Sequence, residues 1–143
     1  MGSNANSDSM KTIRKCALLL IKDKKLLLAR EFGENRFLSV GGSFEQGETD
    51  MQCLQRELME EVGTKAKEGT LKFLNEFVYT DGPEKIIHIR AYTGDLEKEP
   101  VATGEIEELK WFTRKELENT SEEILSGITK HKILPFMMER GMV

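Results

Sequence analysis

The stretch that decides the fold is Gly42 to Thr64, GSFEQGETDMQCLQRELMEEVGT. It begins in a glycine loop, and from Thr49 its apolar residues recur every three or four positions, which is the spacing of one helix face. These apolar residues are Met51, Leu54, Leu58 and Val62. Thr49 is a typical N-terminal cap and Gly63 a typical C-terminal cap. The stretch therefore predicts one amphipathic helix that packs on a sheet through its apolar face.

The polar side of this helix concentrates acidic residues. Glu57, Glu60 and Glu61 are separated by three and four positions, so their side chains project from the same region of the helix surface. Three uncompensated carboxylates would repel one another, and a hard divalent cation relieves that repulsion. Magnesium in particular is held by a few carboxylates together with substrate phosphates and waters. The spacing therefore predicts a divalent-cation site.

The same residues carry a resemblance to a known family. The segment is similar to the Nudix box, G-x5-E-x7-R-E-U-x-E-E-x-G-U, where U is a bulky apolar residue. The matching positions are Gly42, Glu48, Arg56, Glu57, Leu58, Glu60, Glu61 and Gly63. With about 7% usage per letter, a chance match of the fixed letters is on the order of one in a hundred million per frame. Thr64 departs from the last position, where we expect it to affect local packing only.

The resemblance to MutT-like Nudix hydrolases extends over about Thr12 to Val143 and implies roles for individual residues. It implies that Glu60 and Glu61 ligate metal together with the backbone carbonyl of Gly41. It implies that Glu57 contributes to the metal site and is the candidate general base. Arg56 would then hold Glu57 through a charge-assisted hydrogen bond, and Glu48 would support the loop-to-helix geometry.

A further acid is expected from the loop before the strand that contains Trp111. Glu105 is the better-placed match, with a metal-binding and catalytic role, and Glu108 is the second choice. The division of the base role between Glu57 and Glu105 stays open. The competing interpretation of Glu105 is a charged surface loop without a function.

These features imply a Mg²⁺-dependent enzyme, with Mn²⁺ as an alternative, that hydrolyses a diphosphate bond in a nucleoside diphosphate derivative. The alternative is a Nudix-like domain that binds a nucleotide without turnover, which the intact glutamates disfavour. Isomerase chemistry on an isoprenoid diphosphate would need further acid and cysteine residues that we do not find. The particular nucleotide is not encoded in the box, and neither Tyr79 nor Pro83 settles it.

Three basic residues outside the box are candidates for substrate contact. Arg30 ends the second predicted strand, while His88 and Arg90 alternate with apolar neighbours on a later strand. Ordinary solvent exposure is the competing interpretation for all of them.

The remaining chain predicts an α/β (α+β) domain in which a mixed β-sheet lies between α-helices. Predicted strands cover residues 13–21, 25–32, 37–40, 71–80, 85–93 and 108–112, with a hairpin around Asp81-Gly82-Pro83. A brief helical turn is expected from Thr113. A last helix is expected from Ser121 to about Arg140.

The composition of the chain limits the domain organisation and the kinds of binding partner that we expect. Residues 1–9, MGSNANSDS, are typical of an expression leader and are expected to be disordered, which leaves one domain over 10–143. A net charge of −4 gives no basic surface for a nucleic-acid polymer. No apolar run is long enough to span a membrane, so we expect a cytoplasmic protein that acts on a small nucleotide.

Two groups of apolar residues complete the prediction. Cys16 and Cys53 lie in apolar segments without CxxC spacing, which favours reduced thiols in the core. Trp111 and Phe112 are expected to be core residues rather than a stacking platform for a base. Residues 136–138, Phe-Met-Met, suit packing within the domain, and a homodimer contact through them is left open.

Overall fold

The computed structural model describes residues 10–143. The predicted leader lies outside the described residues, and the single-domain boundary at residue 10 stays a prediction. Seven strands form one sheet: β1 Lys11–Leu18, β2 Ile21–Lys22, β3 Lys25–Glu31, β4 Leu38–Ser43, β5 Lys72–Asp81, β6 Lys85–Thr93 and β7 Ile106–Phe112. Their order is β2-β3-β4-β1-β6-β5, and β7 pairs with β3.

The sheet is mixed, as predicted. Strand β1 pairs antiparallel with β4 and parallel with β6. Strands β5 and β6 form the expected antiparallel hairpin. The gap between the first two predicted strands forms a tight turn: Asp23 and Lys24 have φ values of 50° and 60°, which is the backbone of a type I′ turn. That turn joins β3 to the short β2 rather than to β1, because β1 ends at Leu18.

Helices cover both faces of the sheet. They are α1 Asp50–Val62, α2 Arg114–Asn119 and α3 Leu134–Glu139, with a 3₁₀ turn at Glu68–Thr70 and a π-helical segment at Thr129–Ile133 directly before α3. Alternate residues at the end of β1, and Leu19 directly after it, belong to two different hydrophobic cores. Cys16 and Leu18 pack with the buried residues of α1, whereas Ala17 and Leu19 pack with α2, the π-helical segment and α3. The expected layering of a mixed sheet between helices is therefore confirmed.

Two predicted boundaries are wrong. The strand that begins near Phe37 does not stop at Gly41-Gly42, because both glycines pair with β1, opposite Ala17 and Cys16, and β4 continues to Ser43. The last helix does not begin at Ser121. Residues 122–124 form a turn and Leu125 bridges to Phe37, so helical structure starts at residue 127. A long-range backbone pairing thus overrides the local capping signal.

The predicted core residues are buried. Cys16 and Cys53 are free, fully buried thiols whose sulfur atoms are in contact. Phe112 and Met137 are buried, and Trp111 is half-buried against the core under α1. Within residues 10–143, no helix is both long and apolar enough to cross a membrane.

Candidate active site

A cleft of about 770 Å³ crosses the end of the sheet. At one end it is lined by carboxylates and by the glycines of β4, namely Glu31, Gly41, Gly42, Glu57, Glu60, Glu61 and Glu105. At the other end its wall is mostly apolar and aromatic, with Ile13, Tyr79, Ile87, Ile89 and Ile128. The volume lies within the range of small-molecule sites, which is about 300–1,000 Å³. The cleft therefore combines an acidic end with a wall suited to an organic group.

The acids reach the cleft because both ends of helix α1 are capped. In addition, the glycines of β4 leave room for the acidic side chains beside the strand. Thr49 caps α1 through a capping box with Gln52, and Gly63 ends the helix with φ of 71°. A Cβ added to Gly42 would lie 2.3 Å from the Glu57 carboxylate. The Glu57 side chain thus occupies the space that any other residue at position 42 would fill.

Glu61 is anchored by the same strand. The backbone N–H of Gly41 donates to its carboxylate at 2.9 Å. Gly41 has φ of 140°, and a Cβ there would lie 2.1 Å from the carbonyl oxygen of Cys16. The pair of glycines therefore sets the distance between β1, β4 and the acidic side of α1.

Arg56 connects the acids to the loop before the helix. Its guanidinium donates to both carboxylate oxygens of Glu48, at 2.7 and 2.8 Å, and to the carbonyl of Ser43 at 3.0 Å. A further N–H donates to Glu57 at 2.8 Å. This bidentate pair lowers the pKa of Glu48 to about 2 and raises the pKa of Arg56. The arrangement matches the positioning roles that the resemblance implies for Arg56 and Glu48.

Burial and mutual repulsion shape the electrostatics of the acidic end. Burial raises the pKa of Glu61 to about 8, although the Gly41 N–H opposes the shift, and the charge of Glu57 raises it further. Burial also raises the pKa of Glu57, and Arg56 opposes that shift. Carboxylates whose ionisation is disfavoured in this way gain most from a nearby cation.

The donor set fits a hard divalent cation. Four carboxylates line the cleft, those of Glu57, Glu60, Glu61 and Glu105. Gly41 of β4 adds a backbone carbonyl. Across the described part of the chain, no group of three or more His, Cys, Asp or Glu side chains is arranged so that it could hold a metal ion by itself. Magnesium is commonly held by one or two carboxylates, with substrate phosphates and waters completing its shell. The Glu60 side chain is 58% exposed and lies 3.5 Å from the Arg56 guanidinium.

Of the remaining candidate residues, some line the cleft and others do not. Glu105 lines the cleft and is exposed, while Glu108 and Glu107 pair with Arg30 at 3.3 and 2.7 Å. The Arg30 guanidinium also donates to the carbonyl of Glu34 at 3.0 Å. Arg30 and Glu108 are not part of the cleft lining. This placement favours Glu105 over Glu108 as the extra acid.

His88 and Arg90 point away from the cleft. They alternate along β6 with Ile87 and Ile89, which line it, and so project from the opposite face of the strand. Arg90 pairs with Asp50 of α1 at 2.7 Å, and the nearest acid to His88 is Glu76 at 4.0 Å. A substrate contact by either residue, like one by Arg30, stays a prediction that this geometry does not favour.

Sequence reasoning missed several residues of the cleft. Lys15 is a charged residue on the side of β1 that otherwise carries Ile13 and Ala17, and that interruption of an apolar alternation was an available signal. Glu31 ends β3 and faces the same acids. Arg36, Asp81 and Lys85 reach the far end only through the tertiary fold, so local sequence offers no signal for them.

Comparison with known proteins identifies the family of the chain. The model of the NUDIX domain family matches residues 11–131. A relative from Chromobacterium violaceum, the NAD-capped RNA hydrolase NudC, is 31% identical over 97 residues, covering 66% of this chain and 36% of the relative. The chain thus spans about a third of the length of the curated relative it matches.

Solved structures give the same fold. The solution structure of the E. coli ORF135 protein has a TM-score of 0.71 at 28% identity, covering 93% of this chain and 94% of that one. The MutT protein from Methanosarcina mazei Go1 also has a TM-score of 0.71, at 18% identity, with 92% and 96% covered. With the match of the NUDIX domain over most of its length, the chain belongs to the Nudix hydrolase family.

Proposed function

We propose that this protein hydrolyses a diphosphate bond in a nucleoside diphosphate derivative, with Mg²⁺ as its cofactor and Mn²⁺ as a substitute. The observation that carries the proposal is that Glu57, Glu60 and Glu61, on one side of α1, all line the acidic end of the cleft. An acidic cluster would repel the phosphates of such a substrate unless a cation lay between them. The membership of the family, whose members generally use divalent metal ions, supports the same conclusion.

The residues of the acidic end would have different roles in the reaction. Glu60, Glu61 and the carbonyl of Gly41 would hold the metal, which supplies charge neutralisation at the diphosphate and a water of lowered pKa. Glu57, with Glu105 as the alternative base, would accept the proton of the attacking water. Because Arg56 donates to Glu57 at 2.8 Å, it holds that carboxylate in place. Glu48 fixes Arg56 in turn.

The other end of the cleft suits a nucleoside. Ile13, Ile87 and Ile89 form an apolar wall, and Tyr79 adds an aromatic ring. The relative from Chromobacterium violaceum bears the name of an NAD-capped RNA hydrolase, so a nucleotide at the end of a polymer is a class to include in any test. The net charge of −4 favours a small nucleotide over a long nucleic acid.

The test is a screen of nucleoside triphosphates, nucleotide sugars, dinucleotides and NAD-capped RNA, with detection of phosphate, pyrophosphate and nucleoside monophosphate. We expect turnover with Mg²⁺ and none with EDTA. Glu60→Gln and Glu61→Gln should each lower kcat about 100-fold or more, because each removes a charge at the reacting centre. The matched control is Glu118→Gln, an exposed residue of α2 that lies outside the cleft lining and pairs with Arg114 at 3.7 Å.

An unimpaired rate in both cleft variants would show that the assignment is wrong. Saturable nucleotide binding without turnover across the panel would instead identify a non-catalytic nucleotide-binding domain.

A further inference from the structure

Lys15 lies where the acidic end of the cleft meets its apolar wall. In strand β1 it stands opposite Ser43 of β4 and Ile89 of β6. The acids reach the sheet at Gly41 and Gly42, which pair with the next positions of β1. On the other side, Ile13 of β1 stands opposite Ile87. The order across the cleft is therefore acids, Lys15, then the apolar wall.

The ammonium group of Lys15 has no partner among the described residues. Arg30, Arg56 and Arg90 are each paired with a carboxylate at 2.7 Å. No carboxylate lies within 4.0 Å of Lys15 in residues 10–143, even though the cleft it lines contains several acids. Lys15 is still near enough to Glu61 to oppose the rise in the pKa of that carboxyl. A half-buried ammonium group that has no partner among the described residues is available to bind an anion that enters the cleft.

The other cations of the cleft are placed differently. Arg36 donates to the carbonyl of Glu122 at 2.7 Å. Lys85 stands opposite Lys11 at the start of β1, two positions beyond the pairing of Ile13 with Ile87. Among the cationic residues described for the cleft lining, Lys15 is thus the one beside the glycines that the acids contact.

We propose that Lys15 binds the phosphate attached to the nucleoside and is thereby a substrate-positioning residue of the cleft. The inference rests on the proposed function, whose substrate it orients. A diphosphate that places its scissile bond at the acids and its nucleoside on the apolar wall must put its nucleoside-side phosphate next to Lys15. Ammonium groups bind phosphate oxygens as strong charge-assisted donors.

A purely electrostatic role is the competing explanation. Lys15 would then only offset the charge of Glu61 and its neighbours, and its loss would weaken the binding of any anion through space. That effect is screened by salt whereas a direct contact persists, so the titrations are made in about 0.5 M salt, where the Debye length is only a few ångströms.

The experiment is a thermodynamic cycle on the full chain in EDTA. The ligands are AMP, CMP, GMP and UMP and the four corresponding nucleosides, titrated by ligand-observed NMR. The proteins are the wild type, Lys15→Met, Lys15→Arg and the matched control Lys11→Met, which removes a lysine of the same strand that does not line the cleft. We expect Lys15→Met to weaken the best-bound monophosphate about tenfold and to leave its nucleoside unchanged. Lys15→Arg should keep part of the extra affinity for the monophosphate over its nucleoside. Lys11→Met should keep all of that extra affinity.

The proposal is overturned if Lys15→Met weakens monophosphate and nucleoside equally, if it weakens neither, or if the wild type binds no monophosphate more tightly than its nucleoside. This result is independent of turnover. A phosphate-dependent loss in Lys15→Met together with no hydrolysis of any substrate would support the assignment of Lys15 and reject the proposed hydrolase activity alone.

Discussion

At the scale of single residues, the glycine pair of β4 decides how the acids are presented. The sequence motif singled out Glu57, Glu60 and Glu61, which line the cleft, because acids at three- and four-residue spacing lie on the same side of a helix. It did not predict why Gly42 is needed. The reason is a tertiary contact, since the Glu57 carboxylate occupies the place of a Cβ at that position.

Gly42→Ala should therefore impair activity more than folding. The new methyl group would lie 2.3 Å from the Glu57 carboxylate, which must move away from its place beside Arg56. A displaced catalytic group costs on the order of 100-fold in kcat. Steady-state kinetics and thermal melting of the variant measure both effects. The matched control is Gly69→Ala, where an added Cβ meets nothing within 4 Å, and equal kcat in the two variants would contradict this account.

Glu48 and Arg56 predict how stability depends on pH. The pKa of Glu48 is lowered to about 2 in the folded protein, against 4.5 ordinarily, chiefly through its hydrogen bonds with Arg56. A group with a lowered pKa stabilises the fold above its ordinary pKa, and this contribution is lost as pH falls towards the folded value. Glu48→Gln should thus lower Tm at pH 6, and the difference from wild type should shrink between pH 4.5 and pH 2. A difference that does not change over this range would refute the assignment.

At the scale of elements, the best-predicted part of the fold is helix α1. Its periodicity, its Thr49 cap and its Gly63 end are all local signals, and the structure contains each of them. Elements whose limits depend on distant partners were predicted less well. Strand β4 extends through its glycines because β1 pairs with them, and the last helix starts late because Leu125 bridges to Phe37.

The two capping boxes allow a matched prediction. Thr49 caps α1 and Thr113 caps α2, each with a side chain returning from the third helical residue. Replacing either threonine with alanine should lower the free energy of unfolding by about 1 kcal/mol, as measured by denaturant titration. Only Thr49→Ala should also lower kcat at a temperature where both variants are folded, because α1, unlike α2, carries Glu57, Glu60 and Glu61 into the cleft. A larger loss of activity in Thr113→Ala would contradict the role given to α1.

At the scale of the whole molecule, the sheet separates two cores and the cleft opens across one end of it. Sequence periodicity predicted the layering, since alternation along β1 assigns its residues to opposite faces. It could not tell which side of β6 meets the cleft. That side carries Ile87 and Ile89, while His88 and Arg90 point to the other. The order of strands, which decides this, depends on pairings between distant segments.

The divalent cation that we propose at the acidic side of α1 can be tested without knowledge of the substrate. The measurement is a titration of Mn²⁺ followed by electron paramagnetic resonance, with Glu118→Gln as control. The wild type and the control should bind Mn²⁺ alike, and the double variant Glu60→Gln/Glu61→Gln should lose this binding. Undiminished Mn²⁺ affinity in the double variant would show that these acids do not hold the cation.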